Sequence, residues 1–270
     1  MFFFVSAAIL SAVYSSVAVL ERTPALRFRR LTSPRPYFGT DAAWYAVALL
    51  ATAISAFVFR PQLAKLAIGP VSRRLNDLPF AVKLLAGLIL FDFVSFAVHV
   101  ALHRSDVLWN VHKVHHSTLE LDGFATTRAH MFENLVRFVP GQALLYVVGM
   151  PASVVTSVVA TYAVFGVSNH SNIGVDLRWA ERLLVTPRLH RRHHIPESSQ
   201  NNFGTVLTVW DRAFGSLLVR DTRDGERFGV PGEVDTYPQR FAAAFREPLL
   251  QVRRQRRHKR LAHSAAGELE

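Results

Sequence analysis

Ten of the twelve histidines in this 270-residue chain lie between His99 and His194, and eight of those ten fall into three short clusters. His99-Val-Ala-Leu-His103 has the spacing H-x-x-x-H, whereas His112-Lys-Val-His115-His116 and His190-Arg-Arg-His193-His194 both have H-x-x-H-H. Residues at i, i+3 and i+4 lie on one side of a helix, so each cluster can turn its imidazoles toward a shared point. At this histidine content one H-x-x-H-H is expected by chance in about two per cent of chains, and two in well under one per thousand. Crowding eight imidazoles without a metal would leave ring nitrogens unpaired, or repelling if protonated. The clusters are therefore read as metal ligands. Eight donors exceed what one ion takes, and two ions with open positions fit the count. Imidazole suits iron, zinc, copper and nickel, so the reaction must choose the metal. Oxidising an unactivated C–H bond with dioxygen would require a redox metal.

Neutral imidazoles would leave two divalent ions with about four positive charges, which gives nearby carboxylates an electrostatic purpose. Asp92, Glu133 and Asp211 are the candidates. Asp92 lies two helical turns before His99 inside an apolar run, where a carboxylate needs a partner. That partner is either a ligand histidine, which Asp92 would orient, or a structural Ser or Lys. His130 is either a tenth ligand or, since it lacks the cluster spacing, a supporting or structural residue, and the second reading is preferred. Asn202 and Asp211 are read either as supports of the ligands or as residues holding a turn.

The elements that must position these residues are apolar. Met1–Leu20 carries no charge and is long enough to cross a hydrocarbon core of about 30 Å. It has no basic start and no clear small-x-small cleavage pattern, so an uncleaved anchor is expected rather than a signal peptide. Arg22, Arg27, Arg29, Arg30 and Arg35 follow it and mark a cytoplasmic side. Further apolar runs cover 42–59, 80–102 and 138–167. Pro151 is expected to divide the last into a hairpin, which returns the chain to the face it left. The basic stretch Arg60–Leu78 breaks the charge pattern if the run before it crosses fully, and a re-entrant or interfacial helix would remove the conflict. The arginine-rich segment after Arg246 is either an interfacial helix or a solvated tail.

Composition agrees with a bilayer. Half of the residues are hydrophobic and mean hydropathy is +0.18 despite 31 Lys and Arg, so charge and apolar mass are segregated. The net charge of +11 sits beside the apolar runs without interleaved aromatics, which argues against nucleic acid. There is no cysteine, so disulfides and thiolate metal sites are excluded.

The order of the three clusters resembles the fatty acid hydroxylase/sterol desaturase superfamily of membrane di-iron enzymes. Leu108–Ser117, Arg128-Ala-His-Met-Phe-Glu133, Asn169-His-Ser-Asn172 and Asn202-Phe-Gly-Thr205 strengthen the likeness. Trp210-Asp-Arg-Ala-Phe-Gly215 looks like the alkylglycerol monooxygenase branch. The resemblance implies a helical membrane base under a cytosolic histidine-lined cap. It implies that His99, His103, His112, His115, His116, His190, His193 and His194 bind iron, and that His170 is a further ligand. Phe96 and Val100 depart from the pattern, since many members have tyrosine and arginine there.

The expectation is an all-α integral membrane protein with four or five hydrophobic helices. Residues 1–79 would form an anchor, 80–220 a catalytic unit and 221–270 a basic amphipathic end. The expected function is dioxygen-dependent hydroxylation of a lipid (fatty acyl, sterol or alkyl lipid) at two iron ions. Desaturation or C–O or C–C cleavage on the same centre is the first rival, and a non-catalytic metal-binding or transport protein the second. Apart from Asp92, the apolar runs offer little that would line a transport path. No His-Pro-Gly-Gly segment is present, so a separate electron donor of ferredoxin or cytochrome type is expected. Arginine heavily outnumbers lysine, which suggests a GC-rich bacterial genome and a bacterial cytoplasmic membrane, with the site facing the cytoplasm.

Overall fold

The apolar stretches are helices. The computed structural model describes residues 2–32, 37–69, 75, 77–223 and 225–267, with side chains from residue 11 to residue 257 among them. Arg35, Arg73 and Arg74 lie outside the described residues, and His258, His263, Lys259 and Arg260 outside the described side chains. Helix α1 covers Phe2–Leu20, α2 Phe38–Leu66, α3 Phe80–Arg104, α4 Asp106–His116, α5 Met131–Val147 and α6 Ala152–His170. The short α7 (Pro187–His193) and α8 (Val209–Ala213) follow, and α9 (Phe241–Gly267) closes the chain. Among the described residues there is no strand, only isolated backbone bridges at Arg27–Ile173 and Leu184–Leu207.

Among the described residues three helices, α2, α3 and α6, are long and apolar enough to cross a membrane. Helix α5 is 17 residues long and carries Glu133 and Arg137, and α1 is apolar over its described stretch Ser11–Leu20. Helix α2 runs past its expected end at Phe59, so Arg60–Leu66, read from sequence as loop, is helical. A π-helical turn at Ser55–Phe59 precedes Pro61, which has no N–H to give to the preceding turn. The α5–α6 hairpin forms as expected, with Gly149 at φ 86° just before Pro151.

Inside a bilayer, close packing holds helices together, because lipid tails are as apolar as leucine. Helix α3 packs against both α5 and α6, and Phe91, Leu145, Val154, Val155, Val158 and Tyr162 form the buried centre of that contact. A Cβ added at Gly141 would sit 2.7 Å from the ring of Phe91, so glycine is what allows α5 this close to α3. At the other end, Trp44 of α2 joins Val114 of α4, Val230, Tyr237 and Ala244 in a second buried cluster. The Asp41–Arg128 ion pair at 3.3 Å also fixes the start of α2 to the histidine-bearing end. The C-terminal segment is helical and packs on α4 and α2, with Phe245, Leu249 and Leu250 exposed beside Arg253, Arg254, Arg256 and Arg257.

Gly141→Val drives a branched side chain into Phe91. Overpacking of this kind costs about 1–3 kcal/mol, so the melting temperature in detergent should fall by about 2–10 °C. Unchanged thermal unfolding, followed by tryptophan fluorescence, would contradict the α3–α5 contact.

Candidate metal centre

Three turns bring the histidines together. Helix α3 stops at Ser105, which leaves helical geometry at φ −95° and ψ 122°, and the Ser105 hydroxyl then accepts from the Leu108 amide to start α4. That corner sets the first cluster, at the end of α3, facing the second, in α4. Thr186 caps α7 by accepting from the Leu189 amide, with Pro187 in the first turn where its missing N–H costs nothing. His170 is the last residue of α6.

Nine buried histidines form two groups. His99, His103, His112, His116 and His193 make one; His115, His170, His190 and His194 make the other. Within each group one ring nitrogen from every residue lies within 4.8 Å of the rest. The H-x-x-H-H segments do not each serve one point, as a shared helical face suggested. In α4 the i and i+4 rings enter the first group and i+3 enters the second; in α7 the assignment is reversed. Positions i+3 and i+4 diverge by about 100° around a helix of 3.6 residues per turn, so the two points are served from opposite sides of position i.

Five rings have their tautomer fixed. Nδ1 of His99 donates to the Phe203 carbonyl at 2.7 Å, that of His170 to Gly166 at 2.7 Å, and that of His193 to Asn201 at 2.7 Å. His115 Nδ1 points at the Arg128 carbonyl at 3.3 Å, and His112 Nδ1 donates to Glu133 Oε1 at 2.8 Å. A neutral imidazole that donates through Nδ1 keeps its lone pair on Nε2. Those lone pairs face inward. Nε2 of His170 lies 3.0 Å from Nε2 of His115, 3.0 Å from that of His190 and 3.2 Å from that of His194. One ring nitrogen can satisfy at most one such contact as a hydrogen bond. In the other group Nε2 of His99, His103, His112, His116 and His193 is buried without a hydrogen-bond partner. Donors of this kind and number fit two metal ions, one per group.

The residues singled out around the clusters divide clearly. Glu133 reaches His112. Asp92 orients no histidine; its carboxylate accepts from the Val206 and Leu207 amides at 3.0 Å and from Trp210 Nε1 at 2.9 Å. Asp211 accepts from the amides of Phe203 and Gly204 at 2.8 Å and from the Ser216 hydroxyl at 2.7 Å. Asn202, at φ 57°, donates to the Leu189 and Leu218 carbonyls and accepts from the Leu218 amide. A Cβ at Gly204 would meet the Leu207 carbonyl at 2.8 Å and the Asp211 carboxylate at 2.9 Å, so that position requires glycine. These residues hold the turn that presents the Asn201 and Phe203 carbonyls to His193 and His99. His130 stands outside both groups, capping α5 through the Phe132 amide and stacking near Phe245.

The backbone carbonyls of Asn201, Phe203, Gly166 and Arg128 were missed from sequence, since no residue type marks a carbonyl as a partner. Arg137 was missed as well, although its i+4 spacing from Glu133 was visible; their ion pair is 3.5 Å long.

Burial pushes the rings of the cap toward neutrality. His115, His116, His190 and His194 fall well below the usual imidazole range through burial and then neighbouring rings, and burial takes His193 down to about 3. The unfolded chain, with histidines near 6.5, binds more protons than the native one below that pH. Stability is then complete above about pH 6.5 and declines as pH falls toward 3, by about 1.4 kcal/mol per unit for each such ring. The melting temperature of chelator-treated protein should therefore drop steadily from pH 6.5 to 5. A flat profile over that range would mean the rings are solvated.

Residues 84–216 match the family model described as fatty acid hydroxylase. The chain is 30% identical over 158 residues to the ornithine lipid hydroxylase OlsE of Rhizobium tropici, covering 58% of this chain and 48% of that one. It is 28% identical over 148 residues to alkylglycerol monooxygenase of Danio rerio (54% and 32% of the two chains). With methylsterol monooxygenase 1-3 of Arabidopsis thaliana it shares 26% over 153 residues (52% and 50%). The matches thus span half or less of each relative's own length. No solved structure matches. Residues 84–216 carry all nine grouped histidines together with Asp92, Glu133 and Asp211, so the likeness to the fatty acid hydroxylase family lies in the segment that holds the site.

Proposed function

We propose that the protein is a membrane oxygenase that hydroxylates a lipid at two iron ions held by the nine histidines. The observation that carries this reading is the convergence of inward-facing lone pairs in two buried groups, beside a cavity bordered by His170 and His190. The relatives whose names specify ornithine lipid, alkylglycerol and methylsterol support a lipid as substrate. The overall reaction would consume one C–H bond, dioxygen, two electrons and two protons, and yield C–OH and water. When bound, iron supplies the one-electron steps that dioxygen activation needs.

The chain's own residues do the rest. His99, His103, His112, His116 and His193 would hold one ion, and His115, His170, His190 and His194 the other. Glu133 keeps His112 in the tautomer that frees Nε2 and places negative charge next to a strongly cationic centre. Asp211 and Asn202 hold the turn whose carbonyls orient His99 and His193. Asp92 pins that turn's far side to α3. The membrane helices exclude water and line up one substrate carbon with the donor groups. Residues 80–220 would form the catalytic unit between an N-terminal anchor and a basic C-terminal helix. A separate ferredoxin- or cytochrome-type protein would deliver electrons, at the cytoplasmic face of a bacterial inner membrane.

Metal-replete protein is expected to carry two irons per chain by mass spectrometry, and His103→Ala and His190→Ala should each reduce this to one or fewer. Lipid profiles of cells with the protein, without it and with His115→Ala should show a hydroxylated lipid in the first alone. Three identical profiles would count against lipid oxidation, and less than one ion in the parent protein would end the metal reading. Glu133→Leu should weaken iron binding by about 10–100-fold, and Glu133→Gln, which still accepts from His112, should recover most of it.

A further inference from the structure

The cavity beside His170 and His190 holds about 120 Å3 and is bordered by α2, α5 and α6. A second space of about 90 Å3 shares Thr52, Asn134, Phe138 and Ala163 with it, so the two form one cleft running down the helices. Each end carries an arginine, and the two differ in their bonding. Arg60, at the deep end, is satisfied: its Nε donates to Gln142 at 2.9 Å and a terminal nitrogen to Thr156 at 3.3 Å. Thr156 stands 14 residues before His170 on α6, about 21 Å away along the helix.

Arg137, at the histidine end, is not satisfied. Its side chain is 16% exposed, and its one ion pair among the described residues is the 3.5 Å contact with Glu133 Oε1, an oxygen already taken by His112 at 2.8 Å. Among the described residues it makes no hydrogen bond. A guanidinium offers five donors in a planar fork, and leaving them unfilled in a poorly hydrated place is costly. The neighbouring lining groups include Thr126, Asn134 and Tyr45, which are neutral. Position also matters. Arg137 lies six residues into α5, about 9 Å along the helix from the end that joins the cap. The remainder of the cleft descends from there along Ala56, Val159 and Ala160.

We propose that Arg137 binds the oxyanion headgroup, carboxylate or phosphate, of a single-chain or acylated lipid whose tail lies in the cleft toward Arg60. The planar fork matches two oxygens of either group. Because Arg137, His170 and His190 border one small cavity, a headgroup held by Arg137 brings a carbon close to that headgroup up to the metal site, and keeps the terminal part of the tail away from it. This inference rests on the reading of the histidine groups as the place of lipid oxidation, and it supplies that reading with a substrate class and an orientation.

The test is equilibrium binding to iron-loaded protein in detergent, by native mass spectrometry, of hexadecanoate, hexadecyl phosphate and hexadecan-1-ol. The parent protein should bind at least one of the two anions tenfold or more tightly than the alcohol, and which anion it prefers identifies the headgroup. Arg137→Gln should reduce that preference to within twofold while binding the alcohol as before, Arg137→Lys should keep part of it, and Arg60→Gln should keep all of it. Should Arg137→Gln bind no lipid at all, Arg137→Lys decides: a retained preference supports the inference and a lost one overturns it. Equal binding of the three lipids by the parent, a full preference in Arg137→Gln, or loss of preference in Arg60→Gln would each overturn it. Binding is read without turnover. A protein that selects anions but oxidises nothing would refute the proposed activity alone, and one that oxidises lipid without selecting anions would refute the headgroup alone.

Discussion

Nine buried imidazoles crowded into two groups, with ring nitrogens facing one another, form the constraint around which the remainder of the chain is arranged. Such an array has little reason to assemble by itself. Apolar burial gives it nothing, and its nitrogens cannot satisfy each other, as the three simultaneous contacts of His170 Nε2 make plain. The array is braced because five of the nine rings are held from behind. Carbonyls at Phe203, Asn201, Gly166 and Arg128 and the carboxylate of Glu133 fix orientation and tautomer. Those groups are in turn tied to elements that fold for ordinary reasons: a helix corner, a capped short helix, a hairpin and a stitched turn.

The turn around residues 201–211 shows how far the support extends. It contributes no metal donor, yet it holds two of the rings. Gly204 allows the chain to approach the Asp211 carboxylate, Asn202 takes the left-handed conformation that asparagine tolerates, and Asp92 reaches out of α3 to bind the other side. A carboxylate in the middle of an apolar helix is costly, and here backbone amides and an indole N–H satisfy it. The loop therefore descends beside α3 to the level of Asp92, so the histidine-bearing region is partly sunk among the membrane helices.

Much of this was legible in the sequence, and the reasons can be traced residue by residue. The three clusters were visible because metal-binding imidazoles need side chains of one type at helical spacing. The α5–α6 hairpin was visible because Pro151 cannot continue a helix. The extension of α2 through Arg60 was hidden, since a polar residue that finds Gln142 and Thr156 inside the bundle looks in sequence like loop. The partner of Asp92 was hidden for a similar reason: helical spacing pointed to His99, but the amides that claimed it come from a segment more than a hundred residues away. The grouping within H-x-x-H-H was also obscured. Spacing gives the face of a helix, whereas the division of that face between two points depends on what stands opposite.

That division has a thermodynamic consequence. Because α4 sends two rings to one group and one to the other, and α7 does the reverse, neither short helix can be ordered for one group without being ordered for both. On the proposed reading of the groups as two ion sites, a first ion would steady both helices and so the donors of the second site as well. A chain that loses the helical register of either segment loses the geometry of both groups together.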